Sequence, residues 1–209
     1  MMITIYNLSP SEAVSAHNKR VISVGLHPWN IGADWKKQLQ ILGESAGREH
    51  VVLIGEAGLD KLCKTDFDLQ QTVFLRQIEL AEEIKKPLII HCVKAWQELT
   101  AIHKKVIPSV PWILHGFRGK PELAKQLLEL GFYLSFGEKF NEESLRITPL
   151  ERLCTETDES KLTIDEIYSK IAETKETSIE LLIEKANRLI TKESGQFVDI
   201  HTHQTGAAL

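Results

Sequence analysis

Val51-Val52-Leu53-Ile54-Gly55-Glu56 is the stretch that decides the fold: a short apolar run, rich in β-branched residues, closed by a carboxylate. Its length and composition fit a buried strand. The form recurs along the chain. Leu88-Ile89-Ile90 ends in His91, and Trp112-Ile113-Leu114 ends in His115. Arg152-Leu153-Cys154-Thr155 runs into Glu156-Thr157-Asp158, and Phe197-Val198-Asp199-Ile200 ends in His201-Thr202-His203. With Val21 to Gly25 and Phe132 to Phe136, seven strands are predicted.

Helical patterns lie between them. Ser9-Pro10-Ser11-Glu12 has the spacing of a capping box with Pro at the first helical position. Phe74, Ile78 and Ala81 recur at helical spacing, as do Leu123, Leu127 and Leu130 behind Pro121, with Gly131 suited to the C-terminal cap. Thr177-x-x-Glu180 opens a helix carrying Ile179, Leu182, Ile183, Ala186 and Ile190 on one side. Strand alternating with helix predicts a parallel α/β sheet.

An open doubly wound sheet and a closed (β/α)8 barrel both satisfy that alternation. No G-x-G-x-x-G fingerprint is present, which weakens a dinucleotide-binding open sheet. Over 209 residues a barrel has about 26 per unit, compact beside a typical one. Lys161 to Thr177 reads as helix, so an eighth strand is weak or missing. The strand ends favour the barrel. Every strand C-terminus of a parallel barrel opens onto the face where active sites are built, and five strands here finish in metal-ligand residue types. Side chains alternate along a strand, so His201 and His203 point the same way. Expected fold: a compact, distorted (β/α)8 TIM barrel, residues 1–209 forming a single domain.

Composition narrows the function. Lys and Arg number 25 against 29 Asp and Glu, a net charge of −4, which argues against coating nucleic acid or membrane by bulk charge. No apolar run approaches the ~20 residues that span a bilayer. The N-terminal Met1 to Tyr6 lacks the features of a secretory signal. Three cysteines, Cys63, Cys92 and Cys154, show no C-x-x-C spacing; a disulfide scaffold and a zinc finger are poor readings, and a cytoplasmic location is expected.

Singly, each donor has an ordinary explanation. A strand-end His is often a hydrogen-bonded core residue, Glu56 could serve an ion pair, and Asp158 could cap a helix. Jointly the pattern points to metal, because an apolar strand closed by a polar donor recurs five times. His17, His50 and His103 fall in helical or connecting segments and read as solvated. Cys92, next to His91, reads as a small buried hydrophobe.

Seven stretches belong together: Val-Asp-Ile-His201-Thr-His203, Gly25-Leu26-His27-Pro28, Gly55-Glu56-Ala57-Gly58-Leu59-Asp60, Pro87-Leu-Ile-Ile-His91, His115-Gly116-Phe117-Arg118-Gly119, Glu156-Thr157-Asp158 and Gly131 to Gly137. Jointly they resemble the motifs of the TatD-type metal-dependent hydrolases, a family of amidohydrolase-like TIM barrels. The helix bearing Gln71, Phe74 and Gln77 fits as well. The resemblance implies a two-metal site, with His201, His203 and Asp158 on one ion, His91 and His115 on the other, and Glu56 bridging. In the family the H-x-H motif stands at the N-terminus; here it comes last. That order reads as a circular permutation, in which the C-terminal segment supplies the first barrel strand and Met1 to Tyr6 continues from it. Trp29 stands where the family often has a second His, Val93-Lys94 replaces Arg-Asp, and Arg118 replaces a small residue.

The function expected is a divalent-metal-dependent phosphodiesterase or deoxyribonuclease, with Asp158 as ligand and proton acceptor and His27, Arg118 and Lys94 touching the substrate phosphate. A DNA end or short oligonucleotide suits the charge. The alternative is hydrolysis of an amide or lactone in a small metabolite. Two divalent ions are expected, with Zn, Mn, Co or Fe suiting the ligand set better than Mg, which the resemblance also admits.

Overall fold

The computed structural model describes residues 5–16, 21–194 and 203–204. Strand and helix alternate through them: β1 (Ile5–Leu8), α1 (Pro10–Ser15), β2 (Val21–Val24), a 3₁₀ turn (Pro28–Asn30), α2 (Trp35–Ala46), β3 (Val51–Asp60), α3 (Phe67–Ile84), β4 (Leu88–Val93) and α4 (Trp96–Val106). Then come β5 (Trp112–Leu114), α5 (Pro121–Glu129), β6 (Tyr133–Phe136), α6 (Glu142–Ile147), a second 3₁₀ turn (Leu150–Arg152), β7 (Leu153–Thr155), α7 (Ile164–Lys175), α8 (Ile179–Ser194) and β8 (His203–Gln204). The chain divides into two compact units, one of Asn7–Trp112, the other of Met1–Tyr6 with Ile113–Leu209.

In the first unit the strands lie in the order β4-β3-β2, and the Asn7–Leu8 end of β1 follows, with the Gly25 amide donating to the Leu8 carbonyl at 3.2 Å. The pairs β2–β3 and β3–β4 are parallel, with Ser23 beside Leu53, Gly58 beside His91 and Asp60 beside Val93. Ile22, Val24, Leu53, Ile54, Leu88 and Ile90 are buried, and Phe74 from α3 packs edge-on against Trp112 at 5.9 Å. Between Ile54 and Ala57 the β3–β4 ladder slips, so that β3 carries an extra residue. Such a bulge re-aims side chains, and the residue it re-aims is Glu56. Close strand approach depends on glycine here. A Cβ on Gly25 would lie 2.5 Å from the Gly55 backbone, and one on Gly58 (φ +149°) would lie 2.0 Å from the His91 carbonyl oxygen.

In the second unit β5, β6 and β7 lie side by side in chain order, and both pairs are parallel. Leu114, Leu134, Phe136 and Leu153 are buried, and Phe117 meets Phe136 edge-on at 5.9 Å. Arg152, at the entry to β7, donates to the Gly131 carbonyl at 2.7 Å and lies 4.6 Å from the Tyr133 ring centroid.

The capping box at Ser9 forms, with Pro10 at the start of α1, and Lys161 to Thr177 holds a helix, α7, in place of a strand. Three details differ from the sequence reading. Ile5–Leu8 is a strand that the hydrophobic pattern did not single out, because Asn7 breaks the apolar run. The α8 helix starts at Ile179, and the hydroxyl that meets its first turn is Ser178, which accepts from the Leu181 amide at 3.2 Å; Thr177 lies one residue too early. His103 packs edge-on against Trp112 at 5.0 Å and His50 is partly buried, so neither is simply solvated. His17, the predicted strand Phe197 to Ile200, and His201 lie outside the described residues; of the H-x-H motif only the backbone of His203 is described, in the two-residue β8. No described helix is long and apolar enough to cross a membrane.

Candidate metal centre

The strand-end donors gather into two groups, one in each unit. In the first, His27, Glu56 and His91 place ligand atoms within 4.8 Å of one another. Glu56 comes from the bulge of β3, His91 from β4, and His27 from the turn after β2. The structure therefore brings His27, expected at the substrate, into the company of two expected ligands.

A web of polar contacts fixes this group. Asn7 donates its side-chain amide to Glu56 Oε1 and accepts the Ser23 hydroxyl on its own oxygen. His27 Nδ1 accepts the Trp29 backbone N–H at 3.2 Å, so in the neutral ring the proton sits on Nε2, which lies 3.7 Å from Glu56 Oε2. Asp60 takes three donors: Trp29 Nε1–H at 2.7 Å and His91 Nε2 at 3.1 Å on Oδ2, and the Leu62 amide at 2.7 Å on Oδ1. Burial pushes the Asp60 carboxyl up, but the bonds from Trp29, Leu62 and His91 outweigh it and hold the group below its ordinary value. A carboxylate only accepts, so His91 donates its Nε2–H to Asp60, and in the neutral ring Nδ1 carries no proton. A carboxylate behind a histidine in this manner is the usual way a ligating imidazole is oriented.

Helix α3 sets both ends of this web. Gln77 is buried and grips Leu26, the residue before His27: Oε1 accepts the Leu26 amide at 2.8 Å and Nε2 donates to the Leu26 carbonyl at 3.1 Å. Two turns earlier Gln70 grips Asp60 in the same way, at 2.7 and 3.0 Å. The sequence pattern pointed to Gln71 and Gln77; the residue that faces the sheet with Gln77 is Gln70, while Gln71 bonds Asp68 at the surface.

The second group is His115, Glu156 and Asp158, again with ligand atoms within 4.8 Å of one another. His115 follows β5, and the two acids follow β7. Glu156 is 1% exposed. Its Oε1 accepts the Gly116 amide at 2.6 Å and lies 3.6 Å from His115 Nδ1. Burial pushes this carboxyl up, yet His115 and the Gly116 amide keep it below the ordinary carboxylate range. Asp158 goes the other way: burial and the neighbouring Glu156 and Glu159 raise it, against the pull of His115 and Arg118. Arg118 is exposed and lines the same cleft as Glu156 and Asp158. Lys94 is exposed just past β4, with φ +53°. Cys92 is partly buried and its thiol is pushed up to about 12 by burial, so it stays protonated and inert.

These residues suit a cation. Glu156 Oε2 is buried and makes no hydrogen bond of good geometry among the described residues, although the nearby Ser135 hydroxyl favours the charged carboxylate, an under-satisfied arrangement that a cation would relieve. Two imidazoles with a carboxylate, and one imidazole with two carboxylates, are donor sets for transition-metal dications. Asn7, Asp60 and Glu156 were not selected from the sequence. Their signals were faint: one polar residue in the apolar stretch Ile5-Tyr6-Asn7-Leu8, and acids within motifs already assigned to a neighbour.

Parallel strands that present histidines and acids at their ends, with carboxylates orienting the imidazoles, define the class of barrel-type metal-dependent hydrolases. The chain belongs to the TatD-related DNase family of metal-dependent hydrolases, whose family model matches residues 4–193. It is 32% identical over 204 residues to the metal-dependent hydrolase YabD of Bacillus subtilis, covering 85% of this chain and 80% of that protein. The deoxyribonuclease Tat-D of Schizosaccharomyces pombe is 30% identical over 183 residues, covering 76% of this chain and 58% of that protein. The crystal structure of YJJV, the TatD homolog of Escherichia coli, superposes with a TM-score of 0.74 at 18% identity, covering 90% of this chain and 85% of the other. The α/β fold is thus that of the family's TIM-barrel structures.

Proposed function

We propose that the chain is a phosphodiesterase acting on DNA ends or short oligonucleotides, with each donor group holding one divalent ion and residues 1–209 serving as a single hydrolase domain. The observation that carries this reading is the pairing of a buried, under-satisfied Glu156 oxygen with His115 and Asp158, in a family with a deoxyribonuclease member. Glu56 and His91 would hold one ion, with His27 beside them, and His115, Glu156 and Asp158 the other; Zn, Mn, Co or Fe suit these donors, with Mg also admissible. When bound, such ions polarise a phosphoryl oxygen and lower the pKa of water.

The chain's own residues do the rest. Asp60 fixes the tautomer and orientation of His91, and Asn7 fixes the Glu56 carboxylate. Asp158 is the proton acceptor, because a carboxylate has two oxygens, one that can hold an ion and one that can take a proton from water. His27 presents Nε2–H to a phosphate oxygen at the first donor group, Arg118 offers a planar fork to a phosphate at the second, where it lines the cleft with Glu156 and Asp158, and Lys94 adds positive charge. A net charge of −4 limits grip on long duplex DNA, which favours ends and short strands. Three free cysteines suit a reducing compartment.

The permuted order belongs to this proposal. His201 and His203 would complete the ligand set from a C-terminal first strand, and the family match, which ends at residue 193, leaves that strand outside it. The test is hydrolysis of end-labelled single-stranded DNA beside a panel of amides and lactones, with Mn²⁺ and with chelator. Asp158→Asn is expected to fold normally and lose at least about 100-fold in kcat. Near-normal turnover in that variant, or preference for an amide or lactone, would refute the assignment.

A further inference from the structure

We propose that Trp29 is a stacking platform for the base of the nucleotide whose phosphate is held at His27, Glu56 and His91, with Leu62 extending the same apolar ledge; this rests on the phosphodiesterase reading above. Trp29 is 58% exposed and is the only exposed aromatic among the described residues. A tryptophan is usually well buried, and this one is held out on purpose-built supports. Its indole N–H is bonded to Asp60 at 2.7 Å and its backbone N–H to His27 at 3.2 Å. The turn that carries it is tied to the loop after β3 by the Thr65 hydroxyl, which donates to the Pro28 carbonyl at 2.7 Å. Its ring centroid lies 5.0 Å from that of His27 and 5.7 Å from that of His91.

Leu62, 64% exposed, hangs from the other oxygen of Asp60 through its amide. One carboxylate therefore orients a candidate ligand, His91, and two exposed apolar side chains at the rim of the same group. Rigid support lowers the entropic cost of binding. An indole beside a phosphate-binding group matches a substrate that carries a flat ring next to a phosphate. Every nucleobase offers such a face, so the platform favours single-stranded ends over duplex, whose bases are already stacked, with little dependence on sequence.

The test compares single-stranded oligonucleotides of equal length that carry bases throughout or abasic sites throughout. Two readouts are taken: kcat/KM for cleavage with Mn²⁺, and Kd by fluorescence anisotropy in chelator. The wild-type chain is expected to prefer base-bearing strands, and Trp29→Ala to cut that preference about tenfold, through KM and Kd. Because the preference is a ratio within one preparation, partial misfolding cancels. Trp29→Phe keeps a ring but not the bond to Asp60, and is expected to keep most of the preference. A preference unchanged in Trp29→Ala overturns the proposal. So does a loss in Trp29→Phe as large as in Trp29→Ala, since Trp29 would then act only by positioning Asp60. If the wild type binds with the expected preference yet cleaves neither strand, the hydrolytic reading fails and the platform stands.

Discussion

Asp60 shows how one carboxylate can organise a site without belonging to it. Its two oxygens accept from Trp29, Leu62 and His91, and the folded chain holds it ionised at lower pH than an unfolded chain would. The sign follows: its contribution to stability is present above the ordinary aspartate pKa and is lost as pH falls through the depressed one. Asp60→Asn removes the charge and turns one acceptor into an amide NH2 group facing a donor. We expect about 10–100-fold weaker Mn²⁺ or Zn²⁺ binding by titration calorimetry, with the fold retained by circular dichroism; unchanged affinity would mean that Asp60 does not orient a ligand. Glu56, His91 and His115 were legible because each follows an apolar run directly, and Asp158 because it lies just past one, although β3 and β4 themselves run on to Asp60 and Val93. Asp60, Asn7 and Glu156 were not, because their roles depend on register and burial, which no local pattern encodes.

Helix α3 is the element on which the first donor group depends. Gln70 and Gln77 stand seven residues apart, two turns on one face, and each satisfies both backbone polar groups of a residue at the site. Gln77→Leu preserves volume but orphans the Leu26 N–H and C=O inside the core. The expected cost is about 2–5 kcal/mol in urea unfolding, with activity lost beyond what stability explains because His27 follows Leu26. A change below about 0.5 kcal/mol would show that the clamp contributes little. The helix itself was legible from Phe74, Ile78 and Ala81, all buried. Its glutamine face was not, since an apolar period says nothing of which polar residue turns inward. The bulge in β3 that aims Glu56 was equally hidden, although Gly55 and Gly58 mark the place where the backbone must be permissive.

At the scale of the whole molecule, alternation of short apolar runs with amphipathic segments was enough for the α/β class, and strand-end chemistry was enough for the family. Metal should couple these levels, because ligands must shed protons before a cation binds. Asp158 is raised by burial, so in its folded state it holds a proton at higher pH than an ordinary aspartate, and ion binding must displace it. Histidine ligands add the same requirement. The rise in Tm on adding Mn²⁺ is therefore expected to be larger at about pH 7.5 than at about pH 5; an equal rise would argue against these donors. The most direct test of the central claim is elemental analysis of the metal-saturated, desalted chain. We predict about two divalent ions per chain, falling to about one when Glu156→Gln is combined with His115→Ala, and likewise when Glu56→Gln is combined with His91→Ala. A chain that retains no metal, or whose loading neither pair of substitutions alters, would contradict it.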